Sequence, residues 1–554
     1  MKARLLFLSL FSAILLSCAT ATPPAPRPDL DLKIVNARVV DGTGAPWFRA
    51  DVGVRGDAIV ELGDLAAVSA AKTIDAAGLV VAPGFIDLLG QSEGSVLVDP
   101  RVESKVRQGV TTEVTGEGWS PGPNAEASAR EGRTPGRAGW PTLADYFDEL
   151  ESRGSAINFA LFMGASNARS IVIGNVDRVA TDEELARMEV LVEEAMRDGA
   201  IGLSSSLIYV PATFASTEEL VRLARAASRH GGVYFSHIRT EGDGILSALD
   251  EAVRIGKEAS IPVNVWHLKT SGTANHGRMG EVLARIEAAR REGVDIAANM
   301  YPYTASSTGL TILVPTWALE GGYAAFLQRL SDPATRARIA EHVRIESIPG
   351  HTGGAAGILV SRIPGTGLGA LEKKNLEQIA AELGLDPVDA LFHLFERSTS
   401  SPAGVFFKMN EEDVRTALRH PLVSFGSDSG AVPESRRTSG AHPRGYGTFP
   451  RVLGHYSREL GLLSLEEGVR KMTSLAAARA QLPDRGLVRP GMKADLVVFD
   501  PDTVADRATF EDPHRYSAGI EHVIVNGSLV LESGAMTGNL PGRPLRGPGH
   551  TRPR

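Results

Sequence analysis

The sequence has very little cysteine and no excess of positive charge. Cys18 is the only cysteine among 554 residues, so no disulfide can form within the chain. A chain of this length can bury a large core and does not need a disulfide for stability. Lysine and arginine number 58 against 66 acidic residues, which gives a formal net charge of -8. Because nucleic-acid-binding proteins carry clustered positive charge, we expect no nucleic-acid partner.

The apolar run near the N-terminus is too short to span a bilayer. It covers residues 5–16 and follows Lys2 and Arg4, a pattern typical of a signal peptide. We therefore predict that residues 1–21 are an export signal. The proline-rich residues 22–30 are predicted to be a stiff tether between the membrane and the folded protein.

The setting of Cys18 raises two possibilities for processing. The stretch "LLSC" resembles a bacterial lipoprotein box, in which the cysteine is lipidated after cleavage. Cleavage after Ala21, at an A-x-A site, is the alternative. Either way we expect an exported, periplasmic protein, anchored as an outer-membrane lipoprotein if Cys18 is lipidated. That lipid would be its one contact with a membrane, and the oligomeric state stays open.

Both ends of the remaining chain have the pattern of β-strands. "LKIVNARVVDGTGAP" and "DVGVRGDAIVELGD" alternate apolar and polar residues, and so do "ADLVVFDP" and "IEHVIVNGSLVLESG" near the C-terminus. These short runs cannot bury a core separately. We predict one small β-sandwich domain built from residues 31–80 and 488–540.

Between these ends, short apolar strands alternate with helical segments. Several helices begin at capping boxes, such as those at Thr181-x-x-Glu184 and Ser216-x-x-Glu219. This alternation predicts an α/β fold, a (β/α)8 TIM-like barrel over residues 81–487. The segment from about residue 320 to about residue 420 is too long for a simple connection, and we predict that it is an insertion before the last strand. The eight predicted strands are "VVAPGFIDLL", "TTEVTGEG", "INFALFMGA", "AIGLSSSL", "GVYFSHI", "PVNVWHLK", "VDIAANMYP" and "LVSFGSDSG".

Several predicted strands end in polar residues able to do chemistry. The active sites of such barrels lie at the carboxyl ends of the strands, so the barrel would bring these side chains together. The first strand differs, because it ends in Leu89 and Gln91. The polar strand ends are Glu117 on the second strand, His237 on the fifth, His267 and Lys269 on the sixth, and Asp428 on the eighth.

Ordered motifs along the chain resemble the amidohydrolase superfamily and, more narrowly, the N-acyl-D-amino-acid deacylases. The motifs include "VAPGFID", "SSSLIYVP", "YFSHIRTEGDG", "HLKTSG", "YPYTASST", "FGSDSG" and "HPRGYGTFPRVLGHYSRE". The resemblance covers nearly the whole exported chain. It implies a metal-dependent barrel flanked by a β-sandwich that hydrolyses the amide bond of N-acylated amino acids.

The resemblance also implies roles for individual residues. His237 and His267 match the two histidines that hold a zinc ion, and Glu117 falls where the family has a cysteine ligand. Asp428 matches the aspartate that acts as general base. The polar residues that the family uses for the substrate carboxylate fall on Lys269, Tyr301 and Ser307.

The chain departs from the family pattern at four other positions. Leu89 and Gln91 replace the H-x-H pair of the first strand. Ala165 replaces a histidine near the third strand, and Asn299 replaces an aspartate just before "YPY". The departures on the first strand remove the ligands of a second metal.

A single metal site remains complete without the first strand. Glu117, His237 and His267 form a His2Glu set, which other zinc hydrolases use. We therefore expect one divalent metal, with Zn2+ favoured. Asp428 would act as the general base that accepts a proton from a metal-activated water, and this water would attack the amide carbonyl. Arg239 or Arg444 could assist in holding a carboxylate, because a planar guanidinium fork suits that group. Arg444 could equally anchor a loop.

Three functions are compatible with these residues. The first is hydrolysis of N-acyl-D-amino acids or related D-peptides, with a small acylated molecule as substrate. The second is a dipeptidase or cyclic-amide hydrolase, because related barrels share one machinery across many amides. The third is a non-catalytic lipoprotein that binds acyl-amino acids in a pocket that corresponds to the active site of the catalytic family members. Retention of Glu117, His237, His267 and Asp428 together argues against the third.

Overall fold

The computed structural model describes residues 29–124, 139–365 and 367–551. The predicted signal at 1–21, with Cys18, and residues 22–28 of the predicted tether lie outside the described residues. None of the described helices is long and apolar enough to cross a membrane.

A nine-stranded sheet joins the two ends of the chain. Numbered along the whole chain, its strands are β1 (Leu30–Val39), β2 (Phe48–Arg55), β3 (Ala58–Gly63), β4 (Ala70–Asp75), β5 (Val80–Pro83), β19 (Leu496–Phe499), β20 (Ile520–Val525), β21 (Ser528–Glu532) and β22 (Ala535–Met536). Their order in the sheet is β22-β21-β20-β19-β5-β1-β2-β3, and β4 pairs with the first half of β1. Aliphatic side chains from both ends pack into one core on this sheet, among them Ile34, Val52 and Val498.

Eight parallel strands form the barrel. They are β6 (Phe85–Asp87), β7 (Val110–Thr115), β8 (Asn158–Leu161) with β9 (Met163–Gly164), β10 (Gly202–Ser206), β11 (Val233–His237), β12 (Val263–Val265), β13 (Ile296–Met300) and β18 (Val423–Phe425). The third strand is interrupted at Phe162, so that β8 pairs with β7 and β9 pairs with β10. The barrel closes between its first and last strands, where the Leu88 amide donates to the Phe425 carbonyl (3.3 Å). A short strand from the C-terminus, β23 (Pro544–Leu545), pairs with β8.

Helices cover the outside of the barrel and also occur within the insertion. The longest, α4, begins with a capping box between Thr181 and Glu184, as the sequence predicts. Ser216 caps α5 by accepting from the Glu219 amide. The helices are α1 (Glu103–Val106), α2 (Leu143–Arg153), α3 (Ala165–Val172), α4 (Asp182–Asp198), α5 (Thr217–Ser228), α6 (Ile245–Ala259), α7 (Met279–Arg291), α8 (Tyr323–Ser331), α9 (Pro333–His342), α10 (Ile348–Thr352), α11 (Leu376–Leu383), α12 (Pro387–Arg397), α13 (Glu411–Arg419), α14 (Arg444–Arg451), α15 (Leu465–Met472) and α16 (Ser474–Arg479).

The inserted segment lies between β13 and β18 and has its own sheet and core. Its antiparallel strands, in the order β14-β17-β15-β16, are β14 (Ala305–Gly309), β15 (Ile358–Arg362), β16 (Lys374–Asn375) and β17 (Ala403–Phe407). A separate apolar cluster, with Phe326 and Phe395, packs beside them. The insertion thus begins before the predicted start at about 320. It ends before 420, because α13 packs against α7 and β18 as a helix of the barrel.

Candidate metal centre and active site

Glu117 lies in a tight turn directly after β7. The glycines on either side, Gly116 and Gly118, have φ values of +102° and +68°, a backbone conformation that other residues rarely adopt. A Cβ on Gly118 would also lie 2.6 Å from the Cβ of Ser206. The Gly118 amide donates to the Ser204 hydroxyl on β10 (3.0 Å). The turn therefore points the Glu117 carboxylate across the end of the barrel.

The two histidines come from neighbouring strands. His237 is the last residue of β11, and His267 follows β12 with a positive φ of 36°. The His267 amide donates to the side-chain oxygen of Asn299 (2.8 Å) on β13. Asn299, a departure from the family pattern, thus fixes the unusual backbone that aims His267 at the site.

The donor atoms of Glu117, His237 and His267 converge. Glu117 Oε1 lies 2.8 Å from His237 Nδ1 and 3.0 Å from His267 Nε2, and the two ring nitrogens are 2.9 Å apart. Within the described parts of the chain, these three residues are the one group of three or more His, Cys, Asp or Glu side chains whose ligand atoms meet in this way. Two imidazole nitrogens and a carboxylate around one point suit a divalent cation such as zinc.

Burial and mutual contacts set the pKa values of the three candidate ligands. Burial, and next to it the neighbouring His267, lowers the pKa of His237 to about 4. Burial opposes the protonation of His267 as well, but hydrogen bonds to Glu117 and Glu241 outweigh it and raise the pKa of His267 to about 9. Burial also disfavours the Glu117 carboxylate, yet its bonds to both histidines hold its pKa well below the usual range. The cluster therefore favours one positive charge at its centre.

Glu241 is a candidate functional residue that the sequence does not predict. Its Oε1 lies 3.0 Å from His267 Nδ1, the ring nitrogen that faces away from Glu117. A carboxylate at this position fixes the tautomer and the orientation of a ligand histidine. The only available signal in the sequence was its place four residues after His237, in "SHIRTE".

Asp428 follows β18 with a positive φ of 50°. Its amide donates to the Leu89 carbonyl (2.7 Å), and its Oδ2 lies 2.7 Å from Nη1 of Arg444. Burial raises the pKa of Asp428, although Arg444 opposes this shift. The structure thus brings a buried carboxylate of increased basicity to the same end of the barrel as the three candidate ligands.

Leu89 and Gln91 take different places in the structure. Leu89 is fully buried in the apolar core inside the barrel, with Phe235 and Trp266. Gln91 donates its side-chain amide to Oε2 of Glu117 and to Oδ1 of Asp428, at 3.0 Å each. The first strand therefore supplies no second set of imidazole ligands, but it links the candidate ligand to the candidate base.

The three candidate ligands, together with Gln91, Glu241 and Asp428, line a cavity of about 320 Å³ between the barrel and the insertion. The predicted substrate-binding residues Lys269, Tyr301 and Ser307 all lie in its wall. The Tyr301 hydroxyl is buried and has no hydrogen-bond partner in the described structure. Other lining residues, not predicted from the sequence, are Trp119, Ser206, Ile208, Tyr209, Ser306, Thr308, Ile312 and Lys408.

The two predicted arginines have different surroundings. Arg239 holds Glu251 through two nitrogens, at 2.9 and 2.8 Å, and donates to the carbonyls of Thr213 and Ala215. This corrects the prediction that Arg239 assists in holding a substrate carboxylate, because its guanidinium is already filled and it lies outside the cavity wall. Arg444 stays beside Asp428 and also donates to the Ser307 carbonyl (3.2 Å).

A closed parallel barrel with a convergent His2Glu set at the carboxyl ends of its strands is typical of metal-dependent hydrolase barrels. The chain belongs to the amidohydrolase family, whose model matches residues 72–531. The resemblance seen in the sequence motifs is thereby confirmed, and the protein is an enzyme of the amidohydrolase class.

Known proteins and solved structures of this class are similar to the chain over most of its length. A D-aminoacylase of Alcaligenes xylosoxydans xylosoxydans is 40% identical over 524 residues, covering 93% of this chain and 97% of that protein. An N-acyl-D-glutamate deacylase structure from Bordetella bronchiseptica, with zinc and a phosphonate inhibitor, is 35% identical, has a TM-score of 0.79 and covers 93% of this chain and 99% of that one. A D-aminoacylase structure, 40% identical with a TM-score of 0.79 over 93% and 100% of the two chains, concerns a binuclear metal centre with one-metal activation and second-metal attenuation.

Proposed function

We propose that this protein hydrolyses the amide bond of N-acyl-D-amino acids with a single bound divalent ion, zinc being favoured. The observation that carries the proposal is the placing of Glu117, His237 and His267 around one point, in a cavity that also contains Asp428. The D-configuration is proposed from the similarity to D-aminoacylase and N-acyl-D-glutamate deacylase.

Asp428 is proposed as the general base. A divalent ion held by the three ligands would lower the pKa of a water molecule to about 7 and polarise the scissile carbonyl. Asp428 accepts the proton of the attacking water and passes it to the nitrogen that leaves. Its raised pKa suits both halves of this task, because a more basic carboxylate takes a proton more readily and its acid form can still release it.

A single ion is proposed because the first strand offers no imidazole. Leucine has no donor atom, and the amide of Gln91 already donates to Glu117 and Asp428. The binuclear centre of the related D-aminoacylase structure makes the number of ions a question for measurement in this chain.

The experiment compares substrates on metal-stripped and zinc-loaded protein. We expect zinc-dependent hydrolysis of N-acetyl-D-leucine, with much slower turnover of N-acetyl-L-leucine, of the dipeptide D-Leu-D-Leu and of a hydantoin. Asp428→Asn should lower kcat by at least about 100-fold, because a general base contributes 10²–10⁴-fold. Turnover of the dipeptide or the hydantoin alone would replace the proposal with the second function. Ligand binding without any turnover would favour the third.

A further inference from the structure

Trp119 is a large aromatic side chain that remains exposed beside the candidate metal centre. It lies two residues after Glu117, lines the cavity and is 41% exposed. Within the described parts of the chain, its indole ring stacks on no other aromatic ring and its indole nitrogen has no hydrogen-bond acceptor. The indole thus presents an apolar face to the cavity.

The backbone on both sides of Trp119 is fixed to the barrel. The Gly118 amide donates to the Ser204 hydroxyl (3.0 Å), and the Ser120 amide donates to the side-chain oxygen of Asn167 (2.8 Å). Asn167 also donates its side-chain amide to the Ser120 carbonyl (3.0 Å). Because these bonds hold the main chain in place, a ligand that packs on the indole orders little besides the side chain itself.

Trp119 lies opposite the residues that the family resemblance implies for the substrate carboxylate. It comes after β7, the second barrel strand, whereas Lys269 comes after β12, the sixth, and Tyr301 after β13, the seventh. The second and sixth of eight strands are four apart, so they face each other across a closed barrel. The donor atoms of the three candidate ligands meet between these two sides.

The structure of an amide decides which part of the substrate would reach Trp119. The carbonyl carbon joins the acyl group on one side to the nitrogen that carries the amino acid on the other, and the amide is planar and trans. With the carbonyl at the point where the candidate ligands meet and the carboxylate beside β12 and β13, the acyl group points to the side of β7.

The cavity wall near β7 has no charged side chain apart from the candidate ligand Glu117. The loops after β7 and β10 adjoin, since the Ser206 hydroxyl donates to the Glu117 carbonyl (3.3 Å). They contribute Trp119, Ser206, Ile208 and Tyr209 to the wall. This composition suits an apolar group, because no buried charge would lose its hydration when that group binds.

We propose that Trp119 binds the acyl group of the substrate and makes the enzyme selective for apolar acyl groups larger than acetyl, such as phenylacetyl. The inference rests on the proposed function, since it specifies the acyl part of that substrate. An aromatic acyl group gains from the apolar area that it removes from water and from stacking on the indole.

The kinetic test uses two isomeric substrates, N-phenylacetyl-D-alanine and N-acetyl-D-phenylalanine. They have the same atoms and charge, but the phenyl ring is on the acyl group in the first and on the amino-acid side chain in the second. Trp119→Ala should lower kcat/KM for the first relative to the second by at least about 10-fold, mainly through a higher KM. Trp119→Phe should keep most of the wild-type ratio. Trp47→Ala removes a tryptophan that is 43% exposed and lies outside the cavity wall, and it should leave the ratio unchanged.

Two other results would overturn the proposal. A parallel fall for both isomers in Trp119→Ala, with or without loss of zinc, would show that the indole only supports the turn that carries Glu117. A selective fall for N-acetyl-D-phenylalanine would place the amino-acid side chain, rather than the acyl group, against Trp119.

A binding measurement separates this inference from the proposed function. In calorimetry, metal-stripped wild type should bind N-phenylacetyl-D-alanine at least about 10-fold more tightly than N-acetyl-D-alanine, and Trp119→Ala should remove most of this difference. If the zinc-loaded wild type hydrolyses none of these compounds, the proposed function fails while the calorimetry still decides the role of Trp119. Equal affinity of N-phenylacetyl-D-alanine for wild type and for Trp119→Ala would contradict the inference, whatever the turnover.

Discussion

Gln91 lies between two carboxylates, and its amide nitrogen is 3.0 Å from an oxygen of each. A histidine at this position would be a metal ligand in the family pattern. The glutamine instead gives one hydrogen to Glu117 and one to Asp428, which keeps two negative side chains at a fixed separation. At the scale of single residues, this substitution exchanges a ligand for a positioning group.

We expect Gln91→Leu to lower kcat for N-acetyl-D-leucine by about 10-fold or more, because it removes two hydrogen bonds to charged groups. The zinc content should stay at the wild-type level, since none of the three ligands is changed. Steady-state kinetics and metal analysis of the same preparation test this. Gln328→Leu, at an exposed site on α8, is the matched control. Unchanged kcat in Gln91→Leu would show that Asp428 needs no positioning from the first strand.

At the scale of elements, a buried polar network holds the last barrel strand against the first. Asp87 on β6 accepts from the Ser427 amide (2.8 Å) and hydroxyl (2.6 Å), and from Lys105 Nζ (2.8 Å). Lys105 also lies 3.5 Å from Glu113 on β7, and all three charged side chains are fully buried. Because Ser427 precedes Asp428, the network sets the backbone that carries the general base.

Lys105→Met should destabilise the protein by about 3–5 kcal/mol, because it leaves two buried carboxylates without their cation. The measurement is the free energy of unfolding in urea. Lys374→Met removes a partly exposed partner of Glu382 and should cost no more than about 1 kcal/mol. Equal costs for the two variants would contradict the assignment of Lys105 as the cation that this network requires.

At the scale of the whole molecule, the barrel was predictable because its strands are buried on both faces. They appear in the sequence as short apolar runs that end in polar residues, as "VYFSH" ends in His237. The strands of a parallel barrel place their carboxyl ends together. The convergence of His237, His267 and Asp428 was therefore predictable from their positions at the ends of strands. The sheet formed by both chain ends was predictable as well, because short runs of alternating apolar and polar residues occur at both ends. Neither end alone has enough of these runs to bury a core.

Other features depend on contacts that local patterns do not encode. Glu241 and Lys408 come from loops, and the path of the insertion decides where Lys408 lies. The predicted start of the insertion at about 320 is too late, because the sequence of β14, "ASSTG", has no apolar periodicity. The guanidinium fork of Arg239 suits any carboxylate, so the sequence predicts a substrate contact, but in the structure Glu251 binds this fork.

The most direct test counts metal ions per chain and measures turnover in wild type, His267→Ala and His276→Ala. We predict one zinc ion per wild-type chain. We also predict that His267→Ala loses that ion and that its kcat/KM for N-acetyl-D-leucine falls by at least about 100-fold. His276→Ala, an exposed histidine outside the ligand set, should match the wild type. A His267→Ala protein that keeps its ion and its turnover would contradict the account.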